Sequence, residues 1–186
     1  EEFEFVVQNG TIFNMEDSTL SECGHNVGSP TTSGIVVNTS NATINNNIFQ
    51  NNWAGLQLYG HNVDVVGNNF IKNSAGLKIY GDYDNITGNT FTNNSNNGLV
   101  ANVISKSSII ERNNFTQNTN TMMSLVGTNH TVKNCLLTHT GSSDNIITLQ
   151  ISTPATNTII RNVTITSVGA NDGITGGNRT LVRDTK

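Results

Sequence analysis

The sequence predicts an all-β chain wound into a single parallel β-helix, a solenoid of short strands. Three observations predict it: a repeat of 21 to 24 residues, alternation of apolar and polar residues within each repeat, and 32 asparagines in 186 residues. From Gly34 the chain reads GIVVNTSNATINNNIFQNNWA, from Gly55 GLQLYGHNVDVVGNNFIKNSA, from Gly76 GLKIYGDYDNITGNTFTNNSNN, and from Gly98 GLVANVISKSSIIERNNFTQNTNT. The shared core is Gly-Leu/Ile-x-aliphatic followed by Ile/Val-x-x-Asn-x-Phe-x-x-Asn. Three columns keep the same step: Phe49, Phe70, Phe91 and Phe115; Asn47, Asn68, Asn89 and Asn113; Asn52, Asn73, Asn94 and Asn118.

Each unit reads as short strands, with Leu56 and Leu58 on one side and Gln57 and Tyr59 on the other, separated by Asn and Gly turns. No stretch holds a period of 3.6 over the length of a helix. A unit this long, made of strands, is the rung of a β-helix. The Phe column then stacks inside the coil with Leu56, Leu77 and Leu99 and with Ile44, Val65, Ile86 and Ile110. The same geometry gives asparagine a use. Tight turns need left-handed backbone, which Asn tolerates better than any residue but Gly. Stacked inward amides satisfy one another along the axis, so the two Asn columns are expected to be ladders. At this repeat length the chain makes about seven or eight rungs: an irregular first rung and loop over 1–33, regular rungs over 34–121, and looser ones over 122–186, all in one domain.

Composition narrows the function. Charged residues are 12%, hydrophobic residues 34%, and the net charge is −4. Nine basic residues on an acidic chain supply no footprint for nucleic acid. No apolar run reaches membrane-spanning length. The start at Glu1, without a basic and apolar leader, reads as a mature or trimmed form, and a secreted or cell-surface location is expected. Nine Asn-x-Ser/Thr sequons, at Asn9, Asn38, Asn41, Asn85, Asn93, Asn114, Asn129, Asn162 and Asn178, are candidate glycosylation positions, although a chain so rich in Asn, Ser and Thr produces several by chance.

The segments NNNIFQNN, GNNFIKN, GNTFTNN and RNNFTQN resemble the right-handed parallel β-helix proteins of the pectin-lyase-like group. The likeness is clearest over 34–121, continues through TVKNCLLTHT and TIIRNVTITSV, and includes VVQNGTIFN as a first rung. It implies a right-handed coil, and it implies function poorly. Many members of that group are polysaccharide lyases, polygalacturonases or sugar epimerases. Their signatures (Asn-Thr-Asp, Asp-Asp, His-Gly and Arg-Ile-Lys; Asp-Pro-His-Asp; Arg-x-Pro-x-x-Arg) are absent here. The seven Asp and six Glu do not cluster by rung, apart from Asp82 and Asp84, so no pair of catalytic carboxylates stands out. His25, His61, His130 and His139 lack metal-ligand spacing, and neither a metal nor a cofactor is expected.

The best chemical candidate is an outer strip: Tyr59 aligned with Tyr80, Gln57 with Lys78, Asp64, Asp82 and Asp84 just beyond, and His61 and Trp53 nearby. Such a strip suits sugar rings; it also suits an ordinary cross-rung aromatic pair flanked by solvating charge. Cys135 fits the ladder register as a buried thiol. Cys23 reads as a loop residue, on the order of 20 Å away along the axis at the rung spacing. An intermolecular disulfide is the expectation for the two cysteines in an oxidising compartment, unless the 14–33 loop folds back. Ice binding is set aside, since the threonines show no Thr-x-Thr column. With FEFVV a strand at one end and RTLVRDTK at the other, both end rungs read as uncapped. The leading expectation is a non-catalytic, self-assembling extracellular structural protein of a surface layer, sheath or filament, whose partners are other copies of itself. The alternative is a carbohydrate-binding or carbohydrate-active β-helix with glycans as partners.

Overall fold

The computed structural model describes residues 4–24, 34–140, 147–152, 155–167, 174–175 and 180–185. Asn and Gly punctuate this chain too often for a helix to form, and the described residues make 23 strands of two to five residues and no helix. Every third strand joins the same sheet. Two sheets have eight strands and one has seven, and all pairings are parallel. One rung reads Ala54–Leu58 in the first sheet, Asp64–Val66 in the second and Asn69–Ile71 in the third. The three corners between them are called first (first to second sheet), second (second to third) and third (third back to first).

In-register stacking puts like on like. Phe49, Phe70, Phe91 and Phe115 are fully buried and stack with centroids 5.0, 4.8 and 4.5 Å apart. Leu56, Leu77 and Leu99 line the first sheet's inner face, and Ile44, Val65, Ile86 and Ile110 the second's, all at most 1% exposed. Each such side chain stabilises the fold by about 1.5–3 kcal/mol through burial. Glycine makes the ring stack possible. A Cβ on Gly76 would lie 2.9 Å from Phe91 Cδ1, 2.5 Å from the Gly98 carbonyl and 3.3 Å from Asn94 Nδ2. One rung past Gly98 the position belongs to Met122, fully buried, and there the ring column has shrunk from Phe115 to Leu137.

The step is less even than the repeat predicts. It is 21 residues from Leu56 to Leu77 and 24 from Leu99 to Met123, but 29 from Leu20 to Phe49 and 28 from Val132 to Ile160. Seven or eight rungs of 21 to 24 residues is therefore too regular a description. The segment read as an irregular loop is also corrected: Asn14–Glu16 and Thr19–Ser21 are strands paired with Thr43–Asn45 and Ile48–Gln50. The extra residues of that long step fall between Cys23 and Gly34, which hid the register.

Candidate functional site

Each corner is built from a left-handed residue followed by an inward one. At the second corner Asn46 (φ 55°) precedes Asn47, and at the third Asn51 (φ 55°) precedes Asn52. Asn47, Asn68, Asn89 and Asn113 then form one buried ladder, and Asn52, Asn73, Asn94 and Asn118 another. In each, the backbone N–H of one Asn donates to Oδ1 of the next, joined at most steps by its amide, as from Asn68 to Asn89 at 2.8 and 3.1 Å. Ser18 and Cys23 begin the two ladders, their N–H groups donating to Asn47 and Asn52 at 3.0 and 2.8 Å.

The first corner differs on both its faces. Outside, Tyr59 and Tyr80 follow the first-sheet strands of successive rungs, and their rings stack at 4.4 Å with 1° between the planes. Burial and the neighbouring Tyr80 push the Tyr59 phenol up to about 12, so it is a hydrogen-bond donor and not a base. Two residues on, His61, Asp82 and Lys106 stand in successive rungs. The N–H of Asp82 donates to His61 Nδ1 at 2.9 Å, and Asp82 bridges Lys106 through the backbone. Toward the start of the coil the corner opens into a hollow of about 300 Å³ lined by Asn9, Thr11, Thr39, Ser40 and Asn41 together with Gly10 and Ile12. On the other side two inserted residues, Val103 and Ile104, form an exposed apolar tip, held by the Ser105 N–H donating to the Asn102 carbonyl at 3.0 Å.

Inside the corner, the ladder positions hold Ala42, Val63, Asp84, Ser108, His130 and Thr158, all at most 1% exposed. The His130 tautomer follows from its partners. Ser108 N–H donates to Nδ1 at 3.3 Å, while Ser105 Oγ gives its proton to the Asn102 carbonyl at 2.7 Å and can only accept from Nε2–H at 3.4 Å. Burial lowers the imidazole to about 4, so it is neutral. Asp84 Oδ1 accepts the Val63 N–H at 2.9 Å. The strip expected from sequence placed Asp84 outside; it faces inward, because left-handed Tyr83 turns the chain there (φ 63°). Nothing in the sequence marked this column, since its members share no residue type.

A family model described as the right handed beta helix region matches residues 33–185. The chain belongs to the right-handed β-helix family. No curated protein matches the sequence. Among solved structures, the Dettilon tailspike protein is similar with a TM-score of 0.60 and 10% identity over 93% of this chain and 48% of its own. Two structures of the periplasmic alginate epimerase AlgG give TM-scores of 0.57 and 0.52 at 11% and 10% identity. They cover 90% and 94% of this chain, and 55% and 61% of theirs. The chain thus spans about half the length of these structures, and the likeness is one of fold.

Other expected residues of this β-helix fall in different places. Trp53 is half-buried at the start of Ala54–Leu58, so a five-residue strand separates it from Tyr59 and it lies at the third corner, outside the strip. Lys78 pairs with Gln57 on the first sheet's outer face, where burial lowers its ammonium pKa. Both thiols are free, with Cys23 fully buried and Cys135 2% exposed, so the expected intermolecular disulfide would require the coil to open around each sulfur. Cys23 is a ladder residue and not a loop residue, and burial pushes the Cys135 thiol up to about 11. Of the sequons, Asn9, Asn41, Asn93, Asn114, Asn129 and Asn162 are exposed, Asn38 and Asn85 half-buried, and Asn178 lies outside the described residues, as does His25. Thr92, Thr116, Thr138 and Thr166 stand in register on the third sheet's outer face, but the column beside them is mixed (Thr90, Asn114, Leu136 and Thr164), so no Thr-x-Thr array repeats across rungs.

Proposed function

We propose that this protein is an extracellular carbohydrate-binding β-helix that holds a glycan chain along its first corner. The observation that carries the reading is the stacked Tyr59–Tyr80 pair, with a hollow that mixes hydroxyl, amide and apolar groups toward the start of the coil and the Asp82–Lys106 row beside it. Aromatic rings take the apolar faces of sugars, while amides, hydroxyls and charged groups take their hydroxyls. Two of the structures that share the fold, a tailspike and an alginate epimerase, carry names that connect it with surface structures and polysaccharides; this supports the reading by analogy. Binding rather than catalysis is proposed, since the Tyr59–Tyr80 stack offers a platform for a sugar ring and the Tyr59 phenol, held protonated, is no base. The test is retention of the purified protein in gels carrying defined polysaccharides. Tyr59→Ala and Tyr80→Ala are expected to weaken retention at least tenfold, about 1.4 kcal/mol. Unchanged retention in both variants, or no retention of the wild type by any polysaccharide, would overturn the reading.

A second reading, self-assembly, is favoured by one observation. Among the described residues, no strand lies beyond Phe5–Val7, Asn14–Glu16 and Thr19–Ser21, and a hollow of about 580 Å³ lined by Phe5, Met15 and Leu20 with Ser18, Thr19 and Ser21 opens there. A further rung supplied by another copy would cover it. Filaments or sheets in electron micrographs would favour this reading, and a monodisperse monomer at high concentration would count against it.

A further inference from the structure

The inward column of the first corner contains a group that does the work of a ladder asparagine only in one protonation state. A ladder Asn accepts a backbone N–H one rung back through Oδ1 and donates from Nδ2 to a carbonyl 24 residues earlier, as Asn68 does to Ile44 at 2.7 Å and Asn73 to Phe49 at 2.9 Å. Asp84 performs the first task, taking the Val63 N–H at 2.9 Å over the same 21-residue step. Its other oxygen, Oδ2, stands in place of the amide nitrogen and is buried without a hydrogen-bond partner. By the ladder offset it faces the carbonyl of Gly60. The two oxygens border the same space: a Cβ on Gly81 would collide with the Gly60 carbonyl oxygen and also lie 3.1 Å from Asp84 Oδ2. An ionised carboxylate cannot bond a carbonyl, whereas a protonated one donates to it.

We infer that Asp84 is a proton-binding site of the solenoid: as a neutral acid it donates Oδ2–H to the Gly60 carbonyl and closes the first-corner ladder, and loss of that proton loosens the corner that carries Tyr80, His61 and Asp82. The surroundings favour the neutral form. Around Asp84 stand His61 and Asp64 on the rung before, Asp82 and Tyr83 on its own rung, Lys106 on the rung after and neutral His130 one rung further. Among the described residues no cation is within ion-pair distance of it. Burial raises the carboxyl to about 7, opposed by the Val63 N–H and helped by Asp82 and Asp64. The folded state therefore holds a proton that the unfolded chain releases near the ordinary carboxyl value of 3.8. The contribution to stability is complete below that value and is lost as pH rises through about 7. His130, lowered to about 4, changes stability in the opposite direction, and a comparison of variants cancels it.

The test is unfolding of the wild type and Asp84→Asn across about pH 4 to 8, with difference infrared spectra of the wild type over the same range. Asn supplies the donor at every pH. The two proteins are expected to be equally stable at the acid end, with the variant gaining steadily until the unfolding equilibria differ by on the order of a hundredfold to a thousandfold above pH 7. The wild type is expected to show a protonated-carboxyl C=O band that disappears near neutrality. A variant that is no more stable than the wild type at pH 8, or a wild type without that band at pH 5, overturns the inference. The infrared titration decides alone if the variant fails to fold, and neither readout depends on glycan binding.

Discussion

Asparagine serves this chain in two separate ways that only the backbone distinguishes. Eight asparagines point inward in ladders, and nine others, Asn41, Asn46, Asn51, Asn62, Asn93, Asn129, Asn134, Asn157 and Asn162, take the left-handed conformation at corners. Neighbours in sequence can belong to different classes, as Asn93 and Asn94 do. The Asn94 side chain makes four buried bonds: it accepts from the N–H and amide of Asn73 at 3.0 and 3.2 Å, and donates to the Phe70 carbonyl at 3.1 Å and to Asn118 at 2.8 Å. Asn94→Ala leaves the Asn73 N–H and the Phe70 carbonyl buried and unpaired, at a cost of about 2–4 kcal/mol. Asn93→Gly keeps the left-handed backbone accessible and is expected to change stability by under about 0.5 kcal/mol. Urea titrations of the two variants check the contrast, and equal costs would mean that the ladder is not what stabilises the corner.

Between corners, the elements are held in register by a bargain between glycine and phenylalanine. Gly55, Gly76 and Gly98 each leave the volume into which the ring of the adjacent third-sheet strand, Phe70, Phe91 or Phe115, projects. Gly76→Ala is expected to destabilise by about 1–3 kcal/mol through overpacking. Phe91→Leu alone removes buried surface, but combined with Gly76→Ala it should recover part of that loss, as the Met122 and Leu137 pairing already shows within the chain. A double-mutant cycle reads the coupling; strictly additive costs would show that the backbone carbonyl of Gly98, and not the ring, sets the limit. These same elements explain what the sequence made legible. The Phe and Asn columns could be read because identity repeats along with spacing. The first-corner column could not, because Val63, Asp84, Ser108 and His130 share a place and no chemistry. Trp53 and Tyr59 look adjacent in sequence, yet an extended strand sends them to opposite corners. The first rung is legible only in its opening strand, and Asn14–Glu16 and Thr19–Ser21 read as loop because their 29-residue step matches no other step between 34 and 121.

At the scale of the molecule, every rung touches only the rungs beside it, so stability is a sum of rung and interface contributions and is unequal along the axis. The middle has all the advantages: ring stacking from Phe49 to Phe115, both Asn ladders and completely buried aliphatic columns. The ends have few of them. Phe5, Phe13, Met15 and Leu20 are only partly buried in the first rung, and Leu181 and Val182 are 39% and 41% exposed in the last described strand. Amide hydrogen exchange is therefore expected to be slowest for the strands between Ile44 and Asn118 and faster by at least tenfold toward both ends. Asn94→Ala should speed exchange in its own rung and the two flanking it while leaving the rung of Val132 unchanged. Peptide-level mass spectrometry measures this directly. If the substitution sped exchange equally in every rung, the coil would be opening as one cooperative unit, and the nearest-neighbour description would fail.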